Sequence, residues 1–197
     1  MGDILLVRHG ETKWSLSGQH TSRTNLPLTH RGEEQAKSLS PLLSGRSFAR
    51  VFTSPLERAV RTAELAGLTG AETESELHEW DYGGYEGITT IEIHRTRPDW
   101  DLWTDGVPHG PDGHRGETPQ EVGQRADRVL ARVDAALQGG SGDVVLVGHG
   151  HFLRVLTARR LGLSPAEGRL FQLATGTVSR LSTEHDRPVI AEWNTRP

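Results

Sequence analysis

Ile4-Leu5-Leu6-Val7-Arg8-His9-Gly10 and Val144-Val145-Leu146-Val147-Gly148-His149-Gly150 share one plan: four apolar residues, a fifth residue, then a His-Gly pair. An unbroken apolar run this short reads as a strand buried on both faces, as in parallel sheets covered by helices. In open sheets of that kind ligands bind beyond the carboxyl ends of the strands. Each pair therefore sets an imidazole at the mouth of a crevice, with a glycine that lets a ligand approach the backbone.

The chain between these runs alternates helix and strand signals. Thr29 caps a helix expected over 30–43, with Ala36, Leu39, Leu42 and Leu43 as its apolar stripe. Residues 50–53 read as a short strand. Ser54-Pro55-Leu56-Glu57 then combines a Ser N-cap, Pro at the first helical position and Glu at the third, for a helix to Ala66 that ends at Gly67. From Trp80 to Gly116 the chain is rich in Gly, Trp and Pro, which predicts loops with one short helix over 90–95. Val122, Ala126, Val129, Leu130, Val133 and Leu137 recur at steps of three and four, marking a helix over 119–137. A helix over 152–161 and a hairpin pairing 178–182 with 189–193 complete the reading. The pattern predicts one α/β domain over 1–197, a three-layer α/β/α sandwich with a mostly parallel central sheet.

Composition limits the chemistry. The 197 residues include no cysteine, which rules out disulfides, thiolate metal sites and a cysteine nucleophile. With 22 basic and 26 acidic residues the net charge is −4, so no global field favours nucleic acid and anion binding must be local. No run approaches the ~20 apolar residues of a membrane span, and the N-terminus lacks a signal-peptide core. The expectation is a cytoplasmic protein with no nucleic-acid or membrane partner; a homodimer is compatible with the sequence.

A single histidine at a strand end is ordinarily a hydrogen-bonded structural residue. Two at equivalent places, one preceded by Arg8, offer a nucleophile and a cationic stabiliser. Arg58 lies in the first turn of the helix after Ser54, and helical side chains lean back towards the N-terminus, over the same sheet edge. Arg61, one turn on, reads as a solvated charge. A neutral imidazole nitrogen attacks phosphorus readily, and the charge on the transferring group calls for fixed cations. Arg8, Arg58 and a protonated His149 would supply them without a metal or other cofactor. The leaving oxygen then needs a proton from a nearby carboxylic acid.

Five blocks in order carry a family resemblance: Arg8-His9-Gly10-Glu11-Thr12; Ser54, Arg58 and Thr62-Ala63; Leu77-His78-Glu79 with Tyr82-Gly83-Gly84-Tyr85-Glu86-Gly87; Gly116-Glu117-Thr118; and Gly148-His149-Gly150. Over essentially the whole chain this resembles the histidine phosphatase superfamily, which contains the cofactor-dependent phosphoglycerate mutases. The resemblance implies a phosphoglycerate mutase-like fold, with His9 as the phosphorylated nucleophile and Arg8, Arg58 and His149 as the phosphate pocket. It makes Glu79 the general acid that later activates water; Glu86 and Glu117 also fall in family motifs, and we read them as structural, Glu117 near the pocket.

Within the superfamily, 14–21, 79–83, the Trp100…Trp103…Gly106 stretch and 149–154 are similar to acid phosphatases and sedoheptulose-1,7-bisphosphatase. That branch implies a small phosphorylated substrate, a sugar phosphate or bisphosphate, lined by Ser15, Thr21, Ser22, Tyr82, Gly150 and His151. Ser22 replaces a glycine common in the branch, and 108–115 reads as a short insertion carrying His109 and His114. Both histidines, and His185, are expected at the surface, and Trp100 and Trp103 in packing. A mutase is the competing reading, but its Lys…Arg-Arg clamp is absent after Gly87, where Arg95 and Arg97 are partial imitations. A phospholigand-binding pseudoenzyme would have lost His9, Glu79 or His149, and all three are present. A metal site on His149 and His151 lacks neighbouring carboxylates.

Overall fold

Six strands form one sheet in the computed structural model, which describes residues 2–196 of the expected 1–197 domain; Met1 and Pro197 lie outside the described residues. The strands are β1 (Ile4–Arg8), β2 (Phe48–Thr53), β3 (Glu72–Thr73), β4 (Asp143–Gly148), β5 (Thr177–Glu184) and β6 (Arg187–Thr195), ordered β3-β2-β4-β1-β5-β6. The first four in that order run parallel, and β5 and β6 complete the sheet antiparallel.

Side chains alternate along the apolar runs and fill two separate cores, which is why both runs are continuous rather than alternating. Ile4, Leu6, Val144 and Leu146 pack against Val122, Ala126, Val129 and Val133 of helix α7 (Pro119–Gly139) and Phe152 and Leu156 of α8 (Gly150–Arg160). Leu5, Val7, Val145 and Val147 pack on the opposite side against Leu39, Leu43, Ala59 and Ala63. Burying each such Val or Leu contributes ~1.5–3 kcal/mol. The three-layer sandwich is the result.

The other helices are α1 (Lys13–Ser17), α2 (His30–Ser38), α3 (Ser40–Leu43), α4 (Glu57–Leu65), α5 (Thr90–His94) and α6 (Leu102–Asp105). Thr29 caps α2 by accepting from the Gly32 N–H at 3.0 Å. The helix expected over 30–43 breaks at Leu39, because Pro41 has no N–H with which to continue the ladder and instead opens α3. The helix expected from Ser54 begins later, at Glu57, with no side-chain cap. Thr118 and Glu121 form a reciprocal capping box at α7, with Pro119 in its first turn. The expected C-terminal hairpin is present, and His185 and Asp186 make its tight turn at φ of 47° and 61°. Strand β3, helix α6 and the 3-10 turn at Pro165–Leu170 carry signals too short for periodicity to expose.

Candidate active site

Register places the site. Arg8 pairs with Gly148 across β1 and β4, so His9 and His149 leave adjacent strands at the same level. The His9 N–H donates to the Gly148 carbonyl at 3.0 Å, and the Ser54 N–H to the Val147 carbonyl at 2.9 Å. Because β4 lies between β2 and β1, the three strand ends deliver Ser54, His149 and His9 in a row. The two imidazoles meet edge to face, with ring centroids 5.1 Å apart.

His9 is buried, and its Nδ1–H donates to the Gly10 carbonyl at 2.7 Å, which leaves the Nε2 lone pair free. Burial, then the charges of Arg58 and Arg8, hold its pKa well below the usual imidazole value. The ring is therefore neutral, as a nucleophile requires. Gly10 has to be glycine here: a Cβ would stand 2.2 Å from the Gly32 carbonyl oxygen of α2. Arg8 donates through Nη1 to the Leu173 carbonyl, while its buried Nε has no partner. A Cβ on Gly150 would press on that guanidinium at 3.0 Å, so glycine lets α8 start close to Arg8 without displacing it.

Arg58 and His149 differ from expectation. Arg58 reaches back from α4 as expected and is fully buried, but each of its three nitrogens already donates to the protein. Nε donates to His149 Nδ1 at 3.2 Å, Nη1 to the Thr24 carbonyl, and Nη2 to the Thr21 and Ser22 carbonyls. His149, with Nδ1 accepting, is left to donate from Nε2 to Ser54 Oγ at 2.8 Å. Desolvation first, then Arg58, lower its pKa well below the usual value, so it is neutral rather than the protonated stabiliser expected. The Ser54 hydroxyl also accepts from the Leu56 N–H at 3.4 Å, ahead of α4, so it holds the approach to the helix and the imidazole together.

Glu79 projects towards the start of α8. Its carboxylate accepts from the backbone N–H of Trp80 (2.8 Å), His151 (3.0 Å) and Phe152 (2.8 Å). Glu86 accepts from the N–H of Ser22 and Thr24, and Glu117 accepts from the Asp81 N–H and pairs with Arg125, structural positions for both.

A cleft of roughly 200 Å³ gathers Arg8, His9, Glu79 and Gly150 at one end, with Ser15, Thr21, Tyr82 and His151 also on its walls. Ser22 is not among them: it is buried behind the wall, its N–H on Glu86 and its carbonyl on Arg58. Tyr82 is buried with a pKa raised well above 10, mainly by desolvation, while burial and Arg154 hold His151 well below 6.5. The phenol accordingly donates to His151 Nδ1 at 2.6 Å. Sequence reading missed His20, Thr90 and Arg154, which also line the cleft. Arg154 stacks over Trp103, 4.6 Å from its centroid, and its i+3 spacing from His151 was the available signal. Trp100 and Trp103 are packing residues, as expected. His114, expected at the surface, is half-buried and contacts Asp81 at 2.6 Å, tying down the 108–115 insertion. Arg61 is exposed and pairs with Glu33 and Glu64. Among the described residues no cluster of three or more His, Asp or Glu could hold a metal ion, and no helix is long and apolar enough to cross a membrane.

Residues 4–196 match the histidine phosphatase superfamily (branch 1). The chain is 42% identical over 184 residues to an acid phosphatase of Mycobacterium tuberculosis, covering 92% of this chain and 87% of that one. It is 34% identical over 189 residues to sedoheptulose 1,7-bisphosphatase of Saccharomyces cerevisiae, covering 81% and 67%. A solved structure of the Mycobacterium tuberculosis open reading frame Rv3214 superposes with a TM-score of 0.91 at 39% identity, over 99% of this chain and 98% of that one.

Proposed function

The chain belongs to the histidine phosphatase superfamily, and we propose that it hydrolyses small phosphorylated metabolites, sugar phosphates or bisphosphates, through a phosphohistidine on His9. The carrying observation is the neutral His9 Nε2 beside the unpartnered Nε of Arg8 in one cleft. In the first step Nε2 attacks phosphorus while the P–O bond to the leaving group breaks. A proton on Glu79 passes to that oxygen and the alcohol departs. In the second, Glu79 takes a proton from water as the water oxygen attacks the phosphohistidine, releasing inorganic phosphate and restoring neutral His9. Arg8 balances the charge on the equatorial oxygens directly, and Arg58 does so through its field and its hold on His149. The guanidinium charges stand where a metal would otherwise be needed.

Hydrolysis is favoured over phosphate return because the residues standing where mutases carry their clamp, Arg95 and Arg97, stay out of the cleft. Arg97 donates to the Tyr85 hydroxyl at 3.2 Å, and neither it nor Arg95 lines the cleft. On this reading residues 1–197 form a single catalytic domain that works in the cytoplasm.

Phosphate release from a panel of sugar phosphates, bisphosphates, nucleotides and phosphopeptides tests the proposal, with phosphoglycerate interconversion run alongside. The expected result is release from the small metabolites, an acid-labile phosphoenzyme on rapid quench, and neither with His9→Ala. Near-normal turnover by His9→Ala overturns the mechanism, and faster interconversion than release overturns the assignment as a phosphatase.

A further inference from the structure

Arg125 is a charge inside the apolar stripe of α7, three residues after Val122 and four before Val129, and only 3% exposed. All of its donor groups are engaged. Nε and Nη2 bind the two carboxylate oxygens of Glu117 at 2.8 and 2.6 Å. Nη1 donates to the carbonyls of Glu76 (2.8 Å) and His78 (2.7 Å), and Nη2 also to that of Glu79 (3.3 Å). Its Cζ lies over the Phe152 ring, 4.4 Å from the centroid. The N–H of that same Phe152 donates to Glu79 Oε1.

A core that needed only packing at this point would be served by Leu or Met, since a buried Arg–Glu pair is seldom more stable than a well-packed apolar replacement. What Arg125 adds is direction. The segment after the 3-10 turn Ser75–Leu77 has neither a helical nor a sheet ladder to fix it, and it carries Glu79. We propose that Arg125 is the positioning residue for Glu79: it pins the carbonyls of the loop that bears the carboxylate and the ring of the residue whose N–H binds it. Glu117 orients the guanidinium from the far side while also accepting the Asp81 N–H and, through its carbonyl, the Trp80 indole N–H. The inference rests on the reading of Glu79 as the proton donor.

Arg125→Met, Arg125→Lys and Glu79→Gln, with the Arg125→Met/Glu79→Gln double variant, test it by single-turnover quench on an alkyl phosphate and on p-nitrophenyl phosphate. Misplacing a catalytic group by about 1 Å costs on the order of 10²-fold. Arg125→Met should lose about that factor on the alkyl phosphate and much less on the nitrophenyl ester, whose leaving group needs no proton. KM should change little, Arg125→Lys should restore part of the loss, and the double variant should be no slower than Glu79→Gln. Equal losses on both substrates, or additive losses in the double variant, would overturn the proposal by making Arg125 a fold residue only. If Glu79→Gln itself shows no leaving-group dependence, the proton-donor reading fails first and visibly so. Should Arg125→Met not fold, Glu117→Gln, which loosens the same clamp, is read against the same two outcomes.

Discussion

Nε of Arg58 donates to Nδ1 of His149 at 3.2 Å, which makes the second strand-end imidazole an acceptor and keeps it uncharged. The positive charge of the site is therefore guanidinium charge. That division has consequences for pH.

Arg58 is one of the two charges that lower the His9 pKa. A histidine whose pKa is depressed stays a nucleophile at acid pH, so the acid limb of kcat/KM should lie below about 6.5. Arg58→Met removes the charge, and the limb should move to higher pH while kcat falls by about 10²-fold. A pH–rate profile of unchanged shape would refute this account.

His9, His149 and His151 all have pKa values held well below 6.5 by burial. As pH falls through about 6.5 the unfolded chain takes up protons on all three while the folded protein does not. Stability is therefore full above that range and declines below it, by up to ~1.4 kcal/mol per pH unit for each histidine. Thermal midpoints at pH 7.5 and 5.5 measure the effect; a flat profile would contradict it.

Gly150→Ala should separate activity from stability. The methyl meets the Arg8 guanidinium at 3.0 Å, so Arg8 must shift, and kcat/KM should fall at least about tenfold. Gly150 opens α8, so alanine brings only part of its ~1 kcal/mol interior advantage, and the thermal midpoint should stay close to that of the parent protein. A fall in both would mean that the backbone, not Arg8, had moved.

Tyr82→Phe removes the donor to His151 and leaves a buried ring nitrogen unsatisfied, at a cost of ~1–3 kcal/mol. Because His151 is a wall of the cleft rather than part of the reacting end, KM should rise more than kcat falls. A change confined to kcat would place His151 at the chemistry.

Turnover should survive EDTA, since arginines supply the positive charge. Complete inhibition reversed by a divalent metal would count against the proposed chemistry.

Much of this site could be read directly because the strands carrying it are covered on both faces. Four apolar residues in a row fixed β1 and β4, and the matching His-Gly pairs then fixed the level of His9 and His149. Helix α7 was equally legible from its period and its cap. Ser54 misled because its hydroxyl accepts from the His149 imidazole and from the Leu56 N–H ahead of the helix, not from an N–H within α4, and only tertiary structure shows this. Ser22 misled for a related reason: it stands beside a cleft residue in sequence, yet its backbone faces Glu86 and Arg58. Arg125 left a trace, a charge at a buried position of an apolar stripe, but its partners at 76–79 and 117 are set by chain crossings that periodicity does not encode.

The two ends of the cleft are built from different material. The reacting end hangs on consecutive ends of three parallel strands, whereas the far wall is made by Ser15 of α1, the loop Gly18–Thr21 and Thr90 of α5. Those outer segments can be lengthened, shortened or exchanged without disturbing strand register. Laboratory evolution of new substrate ranges should therefore accumulate its changes around 15–21 and 88–103, while the strand ends tolerate almost none.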